Sequence, residues 1–284
     1  MKAPPFDYAK PSELTGVFSL LERHGDDARI LAGGQSLLAT LNMRLSEPVL
    51  LIDLSAIDGI NGIALKSDCV RIGAMTRHSD IEDSPLIKKH LPLLSMAVSH
   101  VAHRAIRNRG TIGGSIAFAD PSAEYPACAV ALDAVIVLTS TQGERRVHAS
   151  DFFLDLYTTA IMPNEIITAC EFPLQTPDVR YAFDELARRH GDYAIVGLAT
   201  TAHISAGITN NLILVFMGVG NIPVRAKMAE AAINGKILNA ETLNAAKIAL
   251  NSDLQPAADL YNSAETKLYL AGVLMRRLLE RLAA

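Results

Sequence analysis

The sequence predicts an α+β fold in two parts, residues 1–175 and residues 176–284. The first part alternates short apolar runs of strand length with amphipathic stretches of helical spacing. The second part begins with long strand-like runs and ends with three consecutive helical segments. A polar, proline-containing break at residues 175–178 separates the two patterns, as is typical of a connection between structural units.

In the first part, helices are predicted from apolar residues three and four apart, and strands from short continuous apolar runs. Gly25 is expected to end the first helix, and Pro92 must bend or restart a later one. Gln142 and Gly143 are expected to form a turn. The predicted helices cover residues 12–24, 37–45, 84–101 and 120–132, and the predicted strands cover residues 29–31, 49–54, 70–74, 134–138 and 165–172.

In the second part, strand-like residues 180–204 and 211–219 flank Gly207-Ile208-Thr209-Asn210, which is predicted to be a hairpin connection. Helices are then predicted at residues 225–234, 240–250 and 264–283. The last of these repeats apolar residues along one stripe and carries arginines between them. It is therefore expected to pack on a sheet, with its arginines in solvent.

The composition of the 284 residues is that of an ordinary globular protein, with half of them hydrophobic and a fifth charged. The net charge of −4 provides no basic surface for nucleic acid. No segment reaches the roughly 18 uninterrupted apolar residues of a membrane span. The N-terminal sequence Met1-Lys2-Ala3-Pro4-Pro5-Phe6-Asp7 lacks the apolar core of a signal peptide, which predicts a cytoplasmic location.

The three cysteines, Cys69, Cys128 and Cys170, lie far apart in the sequence and form no Cys-x-x-Cys pair. An iron–sulfur cluster ordinarily takes four thiolates, and structural zinc usually takes four ligands. The chain is therefore not expected to carry a cluster of its own, and the thiols are predicted to be buried and reduced. No histidine recurs with a carboxylate or thiolate at metal-ligand spacing, so no metal site is predicted.

Two glycine pairs carry the strongest functional signal: Ala32-Gly33-Gly34-Gln35-Ser36 and Thr111-Ile112-Gly113-Gly114-Ser115. A Gly-Gly step lets the backbone reach positive φ and lets a ligand approach more closely than a β-carbon permits. Successive exposed N–H groups in such a turn form a concavity for anions, phosphate above all. One such loop is often a plain turn, whereas two that end in a small hydroxyl residue indicate a pyrophosphate held from both sides.

Neither glycine loop matches the P-loop, which binds phosphate, or the nucleophile elbow, which carries a catalytic serine. Neither ends in the Gly-Lys-Ser/Thr of a P-loop. Ser36 lies in no Gly-x-Ser-x-Gly turn, which excludes the nucleophile elbow of a serine hydrolase.

Together with Ile52-Asp53-Leu54 and Arg188-Arg189-His190-Gly191-Asp192-Tyr193, the two loops resemble the FAD-binding medium subunit of molybdenum hydroxylases. That family includes the carbon monoxide dehydrogenase flavoprotein and the flavin part of xanthine dehydrogenase, and the resemblance covers the whole chain. It implies a two-lobed FAD-binding domain of the vanillyl-alcohol oxidase type over residues 1–175, with its lobes divided near residue 56. A smaller sheet-and-helix domain would follow over residues 176–284.

The resemblance also implies a set of FAD contacts. The first loop would surround the pyrophosphate with main-chain N–H groups, and its matching residues are Arg29, Ile30, Leu31, Ala32, Gly33, Gly34, Gln35, Ser36 and Leu37. The second loop would add hydroxyl donors at Thr111 and Ser115, and its matching residues are Gly110, Thr111, Gly114 and Ser115.

Four further positions match cofactor contacts of the family outside the loops. Ala102 matches a close backbone contact, and Glu124 matches an acidic residue that would bind ribose or ribityl hydroxyls. Ile167 matches an aliphatic position against the adenine. Tyr193 matches a residue near the isoalloxazine, where an aromatic ring could cover one flavin face.

Three positions depart from the pattern of the relatives. Ser115 stands where several have Asn, which shortens the reach of the donor, and Gln35 stands where some have His. Asp184-Glu185 stands where some relatives place a lysine close to the flavin. A positive charge there would favour the reduced anionic flavin, so its absence leaves the flavin potential and the electron acceptor open.

No general acid and base occur together in one motif, so no catalytic residue is predicted. The resemblance implies an electron-transfer subunit that binds FAD without a covalent link. A large subunit would hold the molybdenum cofactor, a small subunit would hold 2Fe–2S clusters, and FAD would deliver the electrons to an external acceptor. Two alternatives remain: a self-sufficient flavin oxidoreductase of the same fold, and a binding or assembly module in which the glycine loops are only turns.

Overall fold

The computed structural model describes residues 2–284, so Met1 lies outside the described residues. Helices and strands alternate along the chain. The strands form three larger sheets and one two-stranded ribbon. The predicted α+β class is confirmed. Among the described residues, no helix is both long enough and apolar enough to cross a lipid bilayer.

The first sheet is formed near the N-terminus by short parallel strands. Its elements are β1 (Asp7–Ala9), α1 (Leu14–His24), β2 (Ala28–Leu31), α2 (Leu37–Asn42) and β3 (Leu50–Asp53). The strand order is β1-β3-β2, with β3 parallel to both neighbours. Helix α1 buries Val17 and Phe18 against Leu50 and Ile52, so its predicted apolar stripe faces this sheet.

The second sheet is antiparallel and is covered by a series of short helices. Its region contains β4 (Ile63–Leu65), β5 (Cys69–Gly73), α3 (His78–Asp83), α4 (Pro85–His90), α5 (Pro92–Val98), α6 (Arg104–Arg107), α7 (Ile112–Phe118), α8 (Glu124–Ala131), β6 (Val135–Ser140), β7 (Gly143–His148), α9 (Ala149–Phe152), β8 (Phe153–Asp155), β9 (Thr158–Thr159) and β10 (Ile166–Pro173). The strand order is β4-β5-β10-β6-β7, and β8 and β9 form the separate ribbon.

Strand β10 lies in the middle of the second sheet and is almost entirely buried. Its one charged residue, Glu171, accepts a hydrogen bond from Arg71 at 2.6 Å and pairs with Arg146. A buried charge requires such partners, because an unpaired carboxylate is costly to desolvate. The pairs explain how a polar residue is tolerated in a central strand.

The third sheet is also antiparallel and is backed by the C-terminal helices. Its elements are β11 (Val179–Leu186), β12 (Val196–Ser205), β13 (Ile208–Met217), β14 (Val224–Arg225), α10 (Lys227–Ile233), β15 (Lys236–Ile237), α11 (Ala240–Asp253) and α12 (Ala264–Ala283). The strand order is β11-β12-β13-β14, and β15 pairs with β13. Helix α12 spans the residues predicted for it and buries Leu274 and Leu278 on this sheet.

The second and third sheets share a hydrophobic core. Leu198 and Leu214 face the C-terminal helices, whereas Ala199 and Val215 join a core that includes Ala127 of α8. The chain passes from the second sheet to the third near residue 175, but the two sheets still pack on one shared hydrophobic core. The domain boundaries given by the sequence, including the division near residue 56, stay predictions.

Two predicted interruptions can be compared directly with the structure. The break at Pro92 is confirmed, since α4 ends at His90 and α5 begins at Pro92. The hairpin connection is shorter than predicted: Ala206 and Gly207, at φ 49° and 77°, make the turn, and Thr209 already belongs to β13. A two-residue turn with positive φ at both positions matches the twist of the paired strands.

Candidate cofactor site

The two glycine loops lie against each other. A β-carbon placed on Gly33 would lie 2.3 Å from the Arg109 carbonyl oxygen and 2.7 Å from the Gly110 Cα. A β-carbon on Gly114 would lie 3.5 Å from the Ala32 Cβ. Glycine at position 33 is therefore required by backbone contact, and loops that are distant in the sequence form one site.

The first loop presents unpaired backbone donors. The N–H groups of residues 32–36 have no hydrogen-bond acceptor among residues 2–284. Gly34 turns the chain at φ 73°, and the Gln35 side-chain amide donates to the Gly33 carbonyl at 3.2 Å. Half-buried N–H groups without a protein acceptor form the concavity that an anion requires.

The second loop has a different structure from the one predicted. Gly113 and Gly114 lie in the first turn of α7, and neither has positive φ. The N–H groups of Gly110, Gly114 and Ser115 already donate to acceptors of the chain, at 2.8, 3.1 and 3.0 Å. The second loop therefore presents no row of free N–H groups like that of the first loop, and its contact with a pyrophosphate stays a prediction.

The hydroxyl groups of the second loop also differ from each other. Thr111 is buried and caps α7, because its Oγ1 accepts the hydrogen bond from the Gly114 N–H at 3.1 Å. Ser115 is half-buried, and its hydroxyl has no partner among residues 2–284. Ser115 is consequently the better placed of the two predicted hydroxyl donors, and Gly110 contributes packing.

Ala102 adopts a left-handed backbone conformation, with φ 43°. The Arg107 guanidinium donates to the carbonyl groups of Val101 and Ala102 at 3.0 Å each. It also donates two hydrogen bonds to the Glu82 carboxylate, at 2.9 and 3.1 Å. Left-handed conformations cost non-glycine residues of order 1 kcal/mol and persist when their surroundings fix them. The buried Arg107 supplies that restraint at the predicted backbone contact.

Helix α7 leads from the second loop to a group of acidic and aromatic side chains. Burial, and then the charge of Glu185, raises the pKa of Glu124 to about 8. Desolvation, and then the charges of Asp120 and Glu124, raise the pKa of Tyr193. Tyr193 as a whole is 71 % exposed. The fold thus brings Glu124 and Tyr193 together and leaves an aromatic face available to a planar group.

Ile167 lies apart from this group, in the core. Its side chain is buried among core residues of β10, next to Thr168, whose carbonyl accepts the Ala74 N–H at 3.0 Å. Ala74 in turn accepts the Gly113 N–H at 2.8 Å. Ile167 is therefore one strand away from the second loop, and its contact with an adenine stays a prediction.

The remaining predicted residues flank the first loop. The Arg29 guanidinium donates to the carbonyl groups of Asp26 and Ala28 at 2.7 and 2.9 Å, within its own segment. Ile30 and Leu31 belong to β2, and Leu37 is the first residue of α2. Cofactor contacts at these positions stay predictions.

A cavity of about 660 Å³ opens beside the contact between the loops. Ala32, Gly33 and Thr111 line it together with Arg77 and Arg109. Within the described part of the chain, the two arginines form no ion pair with a carboxylate. The volume is typical of small-molecule sites, and the unpaired positive charges favour an anionic ligand.

The sequence did not indicate two neighbours of Tyr193. Asp120 is half-buried, which raises its pKa, and its carboxylate accepts the Ser122 N–H at 2.9 Å. Tyr157 has φ 52°, and its ring centroid lies 5.1 Å from that of Phe118. An Asp-Pro step before a helix is too common to mark a site, and a tyrosine in a short ribbon carries no pattern.

Comparison with known proteins identifies the family. The chain matches the FAD binding domain in molybdopterin dehydrogenase over residues 4–175 and the CO dehydrogenase flavoprotein C-terminal domain over residues 181–282. The chain belongs to the FAD-binding medium subunits of the molybdenum hydroxylases. It is thus a flavoprotein subunit of an oxidoreductase complex, and the resemblance and the cofactor expected from the sequence are confirmed.

Individual relatives match this medium subunit over almost its whole length. Subunit alpha of the 6-hydroxypseudooxynicotine dehydrogenase complex of Paenarthrobacter nicotinovorans is 37 % identical, with 99 % of this chain and 95 % of the relative covered. A carbon monoxide dehydrogenase structure from Hydrogenophaga pseudoflava aligns with a TM-score of 0.96 at 36 % identity, covering 99 % and 98 % of the two chains. Quinoline 2-oxidoreductase from Pseudomonas putida 86 aligns with a TM-score of 0.95 at 35 % identity, covering 100 % and 98 %.

The residues of this medium subunit fit FAD. The pyrophosphate is an anion that needs donors, and the N–H groups of residues 32–36 lack acceptors within the described chain. The Gly33–Gly110 contact keeps side chains out of the space between the loops. At the other end of α7, a helix of seven residues that spans about 10 Å, the exposed Tyr193 ring offers a face for a planar group.

Proposed function

We propose that this chain is the electron-transfer subunit of a heterotrimeric molybdenum hydroxylase. FAD, bound without a covalent link, supplies redox chemistry between 2Fe–2S clusters of a small subunit and an external acceptor. Hydroxylation would occur at the molybdenum cofactor of a large subunit. The observation that carries the proposal is the row of unpaired N–H groups at residues 32–36, in a loop that contacts the second glycine loop.

In this proposal the residues of the chain bind and orient the cofactor. The N–H groups of residues 32–36 donate to the pyrophosphate, and the free Ser115 hydroxyl adds a donor from the second loop. Glu124 is largely protonated at pH 7, because its pKa is raised to about 8. A neutral carboxyl both donates to and accepts from sugar hydroxyls, and it adds no negative charge beside the diphosphate. Tyr193 would cover one face of the isoalloxazine.

The relatives support a subunit that does not bind the organic substrate. Their names specify 6-hydroxypseudooxynicotine, carbon monoxide and quinoline, which differ widely in size and polarity. This chain nevertheless aligns with all three over at least 99 % of its length. Flavin subunits can stay alike in enzymes with such different substrates if the substrate pocket lies on another chain. The cytoplasmic location stays a prediction.

Purification of the tagged chain from its native source tests the proposal. We expect two further chains to co-purify, with molybdenum and iron, and we expect the FAD to be released by denaturation. The isolated, metal-free chain should bind FAD and should oxidise little or none of the organic substrate of the complex. Rapid bleaching of its flavin by NADH, followed by turnover with a quinone, would instead support a self-sufficient oxidoreductase. A chain that stays colourless after incubation with FAD would support a binding module.

A further inference from the structure

The glycine loops offer only neutral donors to a diphosphate, which carries two negative charges at neutral pH. The first loop presents backbone N–H groups at residues 32–36. In the second loop, the N–H groups of Gly114 and Ser115 are already bonded to Thr111, at 3.1 and 3.0 Å. Hydrogen bonds from charged donors to phosphate are roughly twice as strong as those from neutral donors. Positively charged side chains where the loops meet would therefore strengthen binding.

Two arginines, Arg77 and Arg109, are held at the place where the loops meet. The backbone of Arg77 forms an antiparallel bridge with Thr111 of the second loop. A β-carbon on Gly33 of the first loop would meet the carbonyl oxygen of Arg109. Both arginines line the cavity that Gly33 and Thr111 also line. The fold thus brings two guanidinium groups to one cavity beside the row of free N–H groups.

The side chains of these two arginines are available to a ligand. Both residues are exposed, and within residues 2–284 neither guanidinium donates a hydrogen bond or forms an ion pair. Arg107, in contrast, is committed to Glu82. One carboxylate, that of Asp80, also lines the cavity, and it accepts the Arg77 backbone N–H at 3.3 Å. Two arginines against one carboxylate leave a positive charge for an anion.

We propose that the guanidinium groups of Arg77 and Arg109 bind the diphosphate of FAD and compensate its charge. The N–H groups of residues 32–36 then fix the position of the diphosphate. The inference rests on the proposed function, and it assigns the recognition of cofactor charge to two side chains outside the Gly-Gly pairs. A planar guanidinium presents parallel N–H donors that match two phosphate oxygens. ADP, which contains the same diphosphate without the flavin, should be bound through the same arginines.

Equilibrium titration of the full apo-chain with FAD, at about 0.05 M and about 0.5 M salt, tests the inference. At low salt, Arg77→Gln and Arg109→Gln should each weaken FAD binding about five- to tenfold, the loss of one charged hydrogen bond that solvent partly screens. The wild-type affinity should fall as salt is raised, and the double variant should lose most of that dependence. Arg109→Lys should keep the salt dependence and lose part of the affinity, because it retains charge without the fork of donors.

Arg23→Gln is the matched control. Arg23 lies in the last turn of α1, is exposed and forms no ion pair within the described residues, but it does not line the cavity. Its replacement should leave the affinity and the salt dependence unchanged. Competition with ADP alone measures the diphosphate without the flavin ring, and the double variant should weaken ADP and FAD by the same factor.

Unchanged FAD affinity in both glutamine variants would overturn the inference and leave the proposed function intact. So would a double variant that keeps the wild-type salt dependence, or one that loses FAD affinity but binds ADP as the wild type does. Urea denaturation of each variant should give the wild-type stability, because the exposed side chains have no partner in the described chain. Failure of the wild type to bind FAD would contradict the proposed function, and the inference with it.

Discussion

Gly33 and Gly110 bring the two glycine loops into backbone contact, since a β-carbon on Gly33 would lie 2.7 Å from the Gly110 Cα. The first loop belongs to the parallel sheet, and the second belongs to the helices that cover the antiparallel sheet. The contact therefore fixes how the free N–H groups of residues 32–36 are presented to a ligand.

Gly33→Ala should weaken FAD binding at least tenfold, which corresponds to about 1.4 kcal/mol. The added methyl group meets backbone atoms that cannot rotate away, so the first loop must shift. Equilibrium titration of the apoprotein with FAD measures the effect. Gly207→Ala is the control, because it places alanine at φ 77° in a hairpin with open space and should lose stability without losing FAD affinity. Equal affinity in Gly33→Ala and the wild type would contradict the assigned role of the contact.

The two hydroxyl residues of the second loop should respond differently to removal of their hydroxyl groups. Ser115→Ala removes a hydroxyl without a protein partner in the described chain, so FAD affinity should fall by about 0.5–1.5 kcal/mol at nearly constant stability. Thr111→Val removes the cap of α7 and should cost about 1 kcal/mol of unfolding free energy. Urea denaturation and FAD titration of both variants separate the effects. The Ser115 role fails if Ser115→Ala binds FAD as the wild type does.

Arg107→Lys should both destabilise the protein and weaken FAD binding. Lysine cannot reproduce the four hydrogen bonds that Arg107 donates to Glu82, Val101 and Ala102. Breaking a buried pair of this kind costs about 3–5 kcal/mol, and Ala102 loses the restraint on its left-handed conformation. Arg104→Lys, at an exposed position that pairs with the same Glu82, should cost much less, because solvent screens an exposed ion pair. Similar losses in the two variants would show that burial of Arg107 is unimportant.

His78 should make the stability of the protein sensitive to acid. Burial lowers its pKa from 6.5 to about 4, and its ring lies under Gly110 and against Tyr125. Below pH 6.5 the unfolded chain binds a proton at this position and the folded chain does not, so stability falls until the pH approaches 4. The loss between pH 8 and pH 5 is about 2 kcal/mol.

His78→Leu should remove that part of the acid sensitivity, because leucine has a similar volume and no titrating group. Chemical denaturation at pH 8 and pH 5 gives the difference for both proteins. His148→Asn, at an exposed histidine, is the control and should retain the wild-type loss. An unchanged pH dependence in His78→Leu would mean that His78 is protonated in the folded protein.

Elements with a strong pattern of their own were predictable from the sequence. The apolar stripe of α12 predicts a helix, and the continuous apolar run of β10 predicts a strand. Pro92 predicts the interruption at which α5 begins. The polar edge strand β7 and the three-residue β1 were missed, because their order comes from pairing with β6 and β3. Local residue patterns do not contain that information.

The sequence predicted the positions of the two loops of the candidate site, but it did not predict the structure of the second loop. The Gly-Gly pairs mark both loops, and Gly34 does reach positive φ. Gly113 was not predicted to be helical, since glycine is a poor helix former. Its helix is fixed by tertiary packing: a β-carbon on Gly113 would lie 2.5 Å from the Ala74 Cβ, so only glycine allows α7 to approach. The burial of Glu185 likewise depends on contacts from other elements.

Amide hydrogen exchange at residues 32–36, with and without FAD, is the most direct test of the account. The N–H groups of these residues have no acceptor among residues 2–284, so they should exchange quickly in the apoprotein. Bound FAD should slow them by at least tenfold, while residues 208–217 of the distant hairpin stay unchanged. Saturation with FAD that leaves the exchange at residues 32–36 unaltered would contradict the claim that this loop binds the pyrophosphate.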